Sequence, residues 1–216
     1  MAAVVNACHL QPPKEGLSYP SVGTDNLVKQ LIPKKFGGIL EKDGQVEVIS
    51  SIDRKFNKIK NDLRWGVFIV LKGRNKYVRS CFKEYGMSVD SSGIFSALWR
   101  PYHYIGLELA QSIYSIALYS EPTGTPIHYK ADVATFAKKD LSPGDILDGE
   151  GGYKVKGKLI SSEYSKRFNI LPLGLSDGAE VKIKIKENTL ITFDSVLTKL
   201  DKKIIETRKY QYHLIK

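Results

Sequence analysis

The longest regular apolar spacing in the chain follows Pro101. Apolar residues recur at Ile105, Leu109, Ile113, Ile116 and Ala117, with a second ridge at Leu107, Tyr114 and Leu118. The polar stripe of Glu108, Gln111, Ser112, Ser115 and Tyr119 is narrow. A helix apolar over most of its circumference is a buried helix, so the pattern predicts one running from His103 to the Pro122–Gly124 break. Pro101 has the fixed φ and missing N–H that suit a first helical turn, and it biases Arg100 toward extended backbone. Tyr102 and His103 then stand at a helix N-terminus, where unpaired N–H groups attract anions.

The rest of the first 124 residues reads as alternating short elements. Residues 2–10 predict a short helix with no N-cap ahead of it, ending before Pro12 and Pro13. Residues 11–36 carry Pro12, Pro13, Gly16, Pro20, Gly23 and Pro33, too much punctuation for regular structure, with one helical turn over 25–31 capped by Thr24 or Asp25. Residues 45–50 alternate as a strand. Residues 65–71 are almost continuously apolar and β-branched, which predicts a strand central in its sheet. Residues 75–85 have helical character closing at Gly86, and 95–99 return as a short strand. The fold class expected is α+β: a mixed sheet with helices over 1–124, with the domain boundary at Pro122–Gly124.

Beyond that boundary the pattern changes to short β-rich runs broken by Gly, Pro and Asp. Residues 141–147, LSPGDIL, align with 185–191, IKENTLI, at an offset of 44 residues. Gly144 and Asn188 fall at the same position, and these two residue types most readily take a positive φ. The repeat predicts one tight turn made twice in a small, all-β, pseudo-symmetric module over 130–200. Residues 201–216 form a basic, aromatic tail.

Composition narrows the function classes. The 216 residues carry a net charge of +10, with 42% hydrophobic and 26% charged residues, a globular balance. The lysines recur along the whole chain, a pattern of solvated surface more than of a nucleic-acid binder, so nucleic acid is not expected as a partner. Two cysteines, Cys8 and Cys81, exclude a disulfide framework and a cysteine zinc site, and Cys81 reads as a core residue of the helix over 75–85. No apolar run is long enough for a membrane span and no secretory leader pattern opens the sequence, so the expected compartment is the cytoplasm. The run Gly149-Glu-Gly151-Gly152 breaks the dinucleotide-binding spacing and follows no strand–helix crossover, and neither a phosphate-binding P-loop nor a nucleophile elbow is present.

One resemblance runs through most of the chain. The segments MAAVVNACHL, GGILEKDGQVEVISS, DLRWGVFIVL, CFKEYGM, LWRPYHYIGLELAQSI and SEPTG are similar, in colinear order, to the homoserine-dehydrogenase-like oxidoreductases that include the 1-deoxy-D-xylulose 5-phosphate reductoisomerase-like (DRL) enzymes. The run ATFAKKDLSPGDILDGEGGYKVKGKL, with LPLGL and the second repeat, resembles the SAF (β-clip) domain that closes those chains. Family members begin with an NAD(P)-binding Rossmann domain and lysine-bearing segments that have no counterpart here, and they carry an internal Met-Ala-Ala-Val at this point. The resemblance therefore implies the C-terminal half of such an enzyme, whether from a split gene, a truncated reading frame or a fragment.

It also implies a division of labour. NAD(P)H serves the complete enzyme and is held by the Rossmann half, with none bound by this chain alone and any metal left open. This chain contributes part of a site for a small, sugar-phosphate-like substrate. Tyr102 and His103 are the catalytic candidates, through hydrogen bonding or proton transfer. Arg100 is the charge candidate for substrate binding, with Arg64 and Lys42, each beside a predicted strand end, as weaker ones whose plain alternative is solvated surface charge. The partners implied are a separately encoded Rossmann-domain chain, or copies of the chain itself in a homo-oligomer or heteromer. The alternative is a non-catalytic SAF-domain module for binding or oligomerisation.

Overall fold

The computed structural model describes residues 1–104 and 106–213. Its helices are α1 (Ala2–Cys8), α2 (Leu27–Gln30), α3 (Lys76–Glu84), α4 (Leu109–Tyr119), α5 (Ser162–Arg167) and α6 (Lys202–Gln211). Its strands are β1 (Val67–Lys72), β2 (Ser88–Val89), β3 (Phe95–Arg100), β4 (Ala131–Ala137), β5 (Val155–Ser161), β6 (Glu180–Val181) and β7 (Val196–Leu197). The class is α+β. The chain forms two compact units, one of Ser18–Thr123 and the other of Met1–Leu17 together with Gly124–Lys216.

In the unit of Ser18–Thr123, three antiparallel strands lie in the order β1-β3-β2, so β3 is central and β1 is an edge. The central place expected for residues 65–71 is thus taken by the shorter apolar run that follows. The apolar continuity of β1 has a different origin. Phe68 and Val70 pack with Ala97 against Val22, Leu27, Val28 and Leu31, while Val67 and Ile69 on the opposite face stay about half exposed. Among the described residues, parallel pairing is confined to isolated bridges, Ser21 with Ser50 and Pro33 with Leu40.

The strand expected over 45–50 does not form. Its place in the fold is set by a side chain: the buried Glu47 carboxylate accepts the Ser18 N–H, the Ser18 hydroxyl at 2.7 Å and the Val48 N–H at 2.8 Å. Those bonds tie the segment to a loop in place of a ladder. The turn over 24–30 forms, as a short 3-10 helix running into α2, but without the side-chain cap expected from Thr24 or Asp25. Asp25 instead accepts a bond from the Asn61 amide. Helix α3 obeys its sequence closely: Asn75 Oδ1 accepts the Val78 N–H at 2.9 Å, and Gly86 takes φ +67° after the last turn. Phe82 is the buried residue of that helix, and Cys81 beside it is half-buried.

The largest departure is α4. It begins at Leu109, not at Pro101, because Gly106 adopts φ +93° and interrupts any continuous helix from residue 101. Nor is it buried. Its polar serines face inward, Ser112 Oγ 2.6 Å from Thr123 Oγ1 and Ser115 Oγ 2.8 Å from the Glu121 carbonyl, and the returning chain covers that stripe. Leu109, Ile113, Ile116 and Leu118 point outward with more than half their surface exposed. The apolar pattern is present, but the described residues supply nothing for it to pack against.

In the other unit, α1 and residues 124–216 make their own structure. The Asn6 amide joins α1 to the start of β4, its Oδ1 accepting the N–H groups of Lys130 at 2.8 Å and Ala131 at 2.9 Å and its Nδ2 donating to the Ala131 carbonyl. Strands β4 and β5 form one antiparallel pair and β6 and β7 another, with the six-residue α5 between β5 and β6 and short 3-10 turns at Leu173–Leu175 and Phe193–Ser195 added to the β-rich pattern. The repeat folds as a reciprocal clasp. Leu141 and Ile185, first residues of the two copies, exchange both backbone bonds at 2.8 and 3.0 Å. Gly144 N–H donates to the Val181 carbonyl and Asn188 N–H to the Ala137 carbonyl, each at 2.9 Å. Leu147 to Ala179 at 2.8 Å and Ile191 to Thr135 at 2.9 Å repeat the exchange. Each bond maps onto its twin under the 44-residue offset. Gly144 and Asn188 take φ +88° and +59°, the shared turn the repeat predicts. Around this clasp lies a core of Leu141, Leu147, Val155, Leu171, Val181, Ile185 and Ile191.

The basic tail closes the unit as α6, with Asp201 capping the helix by accepting the Lys203 N–H. Arg208 is buried and ion-paired with Asp132, whose Oδ2 also accepts from Tyr129 Oη at 3.0 Å and Ser165 Oγ at 2.6 Å. Its guanidinium lies over the Tyr129 and Tyr212 rings at 5.4 and 4.9 Å. Burial, and then the Asp132 charge, push the Tyr129 phenol well above its ordinary range. Among the described residues no helix is long and apolar enough to cross a membrane.

Candidate functional site

The candidate residues collect at one end of the β1–β3 pair. Val67 opens β1 and pairs with Arg100, the last residue of β3. Ahead of Val67, the chain turns through Arg64, Trp65 and Gly66. Trp65 takes φ +68° and is 70% exposed, and the Arg64 guanidinium lies over its ring at 5.3 Å. Gly66 packs so closely that a Cβ there would stand 2.5 Å from the Arg100 carbonyl oxygen. The sequence-predicted Arg64 and Arg100 are therefore brought to the same sheet end by backbone contact.

Lys42 is not brought there. Its chain neighbour Asp43 pairs with Lys72 at 2.6 Å, and Lys72 is the last residue of β1. A six-residue strand is about 17 Å long, so that turn lies a strand length from Arg100. Lys42 belongs to the opposite end of the sheet.

Beyond Arg100, residues 101–104 and 106–108 are not helical, so Tyr102 and His103 do not occupy a helix N-terminus. What organises them is a carboxylate. Glu108 Oε1 pairs with Arg100 Nη2 at 2.8 Å, and Glu108 Oε2 lies 2.6 Å from His103 Nδ1. The Arg100 guanidinium covers the Tyr102 ring at 4.9 Å, and Tyr102 stacks on Tyr104 at 5.2 Å with the rings 6° from parallel. The Glu108 N–H donates to the Tyr104 carbonyl at 3.1 Å, closing the loop on itself. Arg100 and His103 are each about half exposed at the side chain, while Glu108 is 22% exposed and sits behind them.

Sequence reading placed Glu108 in the polar stripe of a helix and missed its part in the site. The signal available was a carboxylate five residues after a histidine and eight after an arginine, which acquires meaning only once Gly106 is known to turn the chain. Tyr104 and Trp65 were missed in the same way. They frame the cluster with exposed aromatic surface.

Chemically, the cluster offers a guanidinium with further N–H donors, a second arginine at the same sheet end, a phenol and an imidazole held by a carboxylate. Such a set can bind an oxyanion and move a proton. Among the described residues no group of three or more His, Cys, Asp or Glu side chains is placed to hold a metal ion. The sheets of the described residues are antiparallel throughout.

A comparison with curated proteins gives no significant match. Residues 1–109 match the catalytic domain of oxidoreductase DRL, a match that takes in Arg64, Arg100, Tyr102, His103 and Glu108. The chain belongs, through that catalytic domain, to the DRL oxidoreductase family.

Proposed function

We propose that this chain supplies one wall of the substrate site of an NAD(P)-dependent oxidoreductase, and that its substrate is a small phosphorylated or otherwise anionic hydroxy or carbonyl compound of the sugar-phosphate kind. The observation carrying the reading is the convergence of Arg64, Arg100, Tyr102, His103 and Glu108 on one end of the β1–β3 pair. Arg100, oriented by Glu108 and by the Tyr102 face, presents its remaining donors to an oxyanion. Arg64 adds charge at the same sheet end, and His103 exchanges a proton with the reacting oxygen. Tyr102 is positioned to hydrogen-bond the same oxygen.

Coenzyme binding we assign to another segment, separately encoded or part of a longer polypeptide, in keeping with the antiparallel sheets of the described residues. The outward apolar faces of α4 and of β1 with Leu98 are where we place its contact, in keeping with the size of the exposed apolar surface. Residues 130–200 we read as a SAF (β-clip) domain, from the reciprocal clasp of the two copies. The cytoplasm is the compartment that fits two free cysteines.

The test joins the chain to a coenzyme-binding segment encoded beside it and measures NADP(H)-dependent turnover of phosphorylated sugars. Tyr102→Phe and His103→Ala should each lower turnover about 100-fold. Unchanged turnover and affinity in both would remove the cluster from the site. The second reading, a non-catalytic SAF-type module, is favoured by the clasp alone. It requires that NADP(H) bind neither the chain nor the joined pair.

A further inference from the structure

We propose that Glu108 is a positioning residue for His103, fixing the neutral imidazole with its proton on Nδ1 so that Nε2 is left as the base. The inference rests on the proposed function only in taking His103 as the proton-transfer group. The placement of the proton follows from contacts alone.

A carboxylate only accepts hydrogen bonds, so the ring nitrogen 2.6 Å from Glu108 Oε2 must be the one that carries hydrogen. A neutral imidazole has a single N–H. With the proton on Nδ1, the lone pair is on Nε2. The other oxygen of Glu108 is ion-paired with Arg100 Nη2 at 2.8 Å, through charge and not through a hydrogen bond. Arg100 is in turn seated on Tyr102, and Tyr102 on Tyr104. The Tyr104 carbonyl accepts the Glu108 N–H, so the series of contacts returns to the residue where it starts. The carboxylate, at 22% exposure, lies behind an imidazole at 55%.

In the step this arrangement serves, a substrate hydroxyl gives its proton to Nε2. The O–H bond breaks, an N–H bond forms, and the electron pair stays on the oxygen. The imidazolium that results has Glu108 against its other nitrogen, which balances the new charge. In the reverse direction the same nitrogen returns the proton.

The test uses the full chain with 15N-labelled imidazoles and two-bond 15N–1H correlation spectra, recorded well above the ordinary imidazole range of about 6.5. The His103 signals are assigned by their loss in His103→Gln. Wild type should show the proton on Nδ1. In Glu108→Gln the ion pair with Arg100 is lost and either amide atom can face Nδ1, so the proton should no longer be fixed on Nδ1 and an Nε2–H population should appear. A wild-type spectrum with the proton on Nε2, or a Glu108→Gln spectrum identical to wild type, overturns the proposal. The readout does not depend on turnover. A fully active His103→Ala enzyme would therefore sink the proposed function while leaving the tautomer result standing, and the converse failure is equally visible.

Discussion

Arg208 closes a buried ion pair on Asp132 across 76 residues of sequence, and this pair fastens α6 to the β4–β5 unit. Both groups share Ser165 Oγ, which lies 3.0 Å from Arg208 Nη2 and 2.6 Å from Asp132 Oδ2. Removing one partner leaves an uncompensated charge in a site sealed by Tyr129 and Tyr212. Arg208→Ala should therefore destabilise the unit by about 3–5 kcal/mol. Urea unfolding of Arg208→Met, Asp132→Asn and the double variant checks it, since the double variant should cost clearly less than the two single costs added together.

Gly144 and Asn188 permit a second test. A Cβ on Gly144 would meet open space, so the cost of Gly144→Ala comes from φ +88° alone, about 1–2 kcal/mol. Gly144→Asn should recover most of that loss, because Asn already occupies the equivalent turn at residue 188. Thermal melts of the two variants side by side decide the matter.

Asp90 gives the unit of Ser18–Thr123 a dependence on pH. Burial pushes its carboxyl up, but bonds from the Ser92 hydroxyl and from the N–H groups of Phe95 and Ser92 outweigh burial and hold it below the ordinary value. The folded state thus binds that proton more weakly than the unfolded state. The stability it contributes is complete above the ordinary aspartate value of about 3.9 and disappears as pH falls through the lower folded value. In Asp90→Asn this part of the acid dependence should be absent, with an added loss of about 1–3 kcal/mol at neutral pH from unmatched donors. Denaturant midpoints between pH 2 and 7 measure both.

The outward face of α4 should tolerate charge. Ile113→Lys and Leu118→Lys remove side chains that are mostly in solvent, so the unfolding free energy should move by no more than about 0.5 kcal/mol. If this face holds a second copy or a coenzyme-binding segment, the same variants should weaken association in sedimentation experiments. A large stability loss in both would show that the face is packed within the chain.

Gly66→Ala should disturb the candidate site from a distance. The added Cβ would clash with the Arg100 carbonyl oxygen and the Leu63 side chain, prising β1 from the end of β3. Loss of the Nδ1–H signature of His103 in this variant would show that the sheet end holds the loop in place.

What the sequence made legible was local. Asn75 capping α3, Gly86 ending it and the matched turns at Gly144 and Asn188 all depend on the conformational preferences of one or two residues, and those preferences are written at the position itself. What it concealed depended on pairing. Glu47 replaces a strand ladder with side-chain bonds to Ser18, Glu108 joins Arg100 to His103, and Arg208 meets Asp132. None has a periodicity. Helix α4 shows the complementary failure: its apolar spacing is real, but spacing reports only that a face is to be covered and not where its cover comes from. Pro101 suits a helix start, but Gly106 at φ +93° redirects the chain before a helix can run on from it.

The reciprocal clasp has a consequence for how the protein is made. Gly144 needs the carbonyl of Val181, just ahead of the second copy, and Leu141 exchanges both bonds with Ile185, so the first copy cannot complete its pairing until the second is made. Pairings over such separations are slow to find, and domains otherwise assemble from the N-terminus as synthesis proceeds. β4 can pair with β5 as soon as Ser161 has emerged, but residues 141–147 must wait without their partners until the stretch through Ile185 has left the ribosome. The module's edge strands are most open to mispairing during that interval, so slowing translation between the two copies should lower the soluble yield more than slowing it anywhere after Ile191.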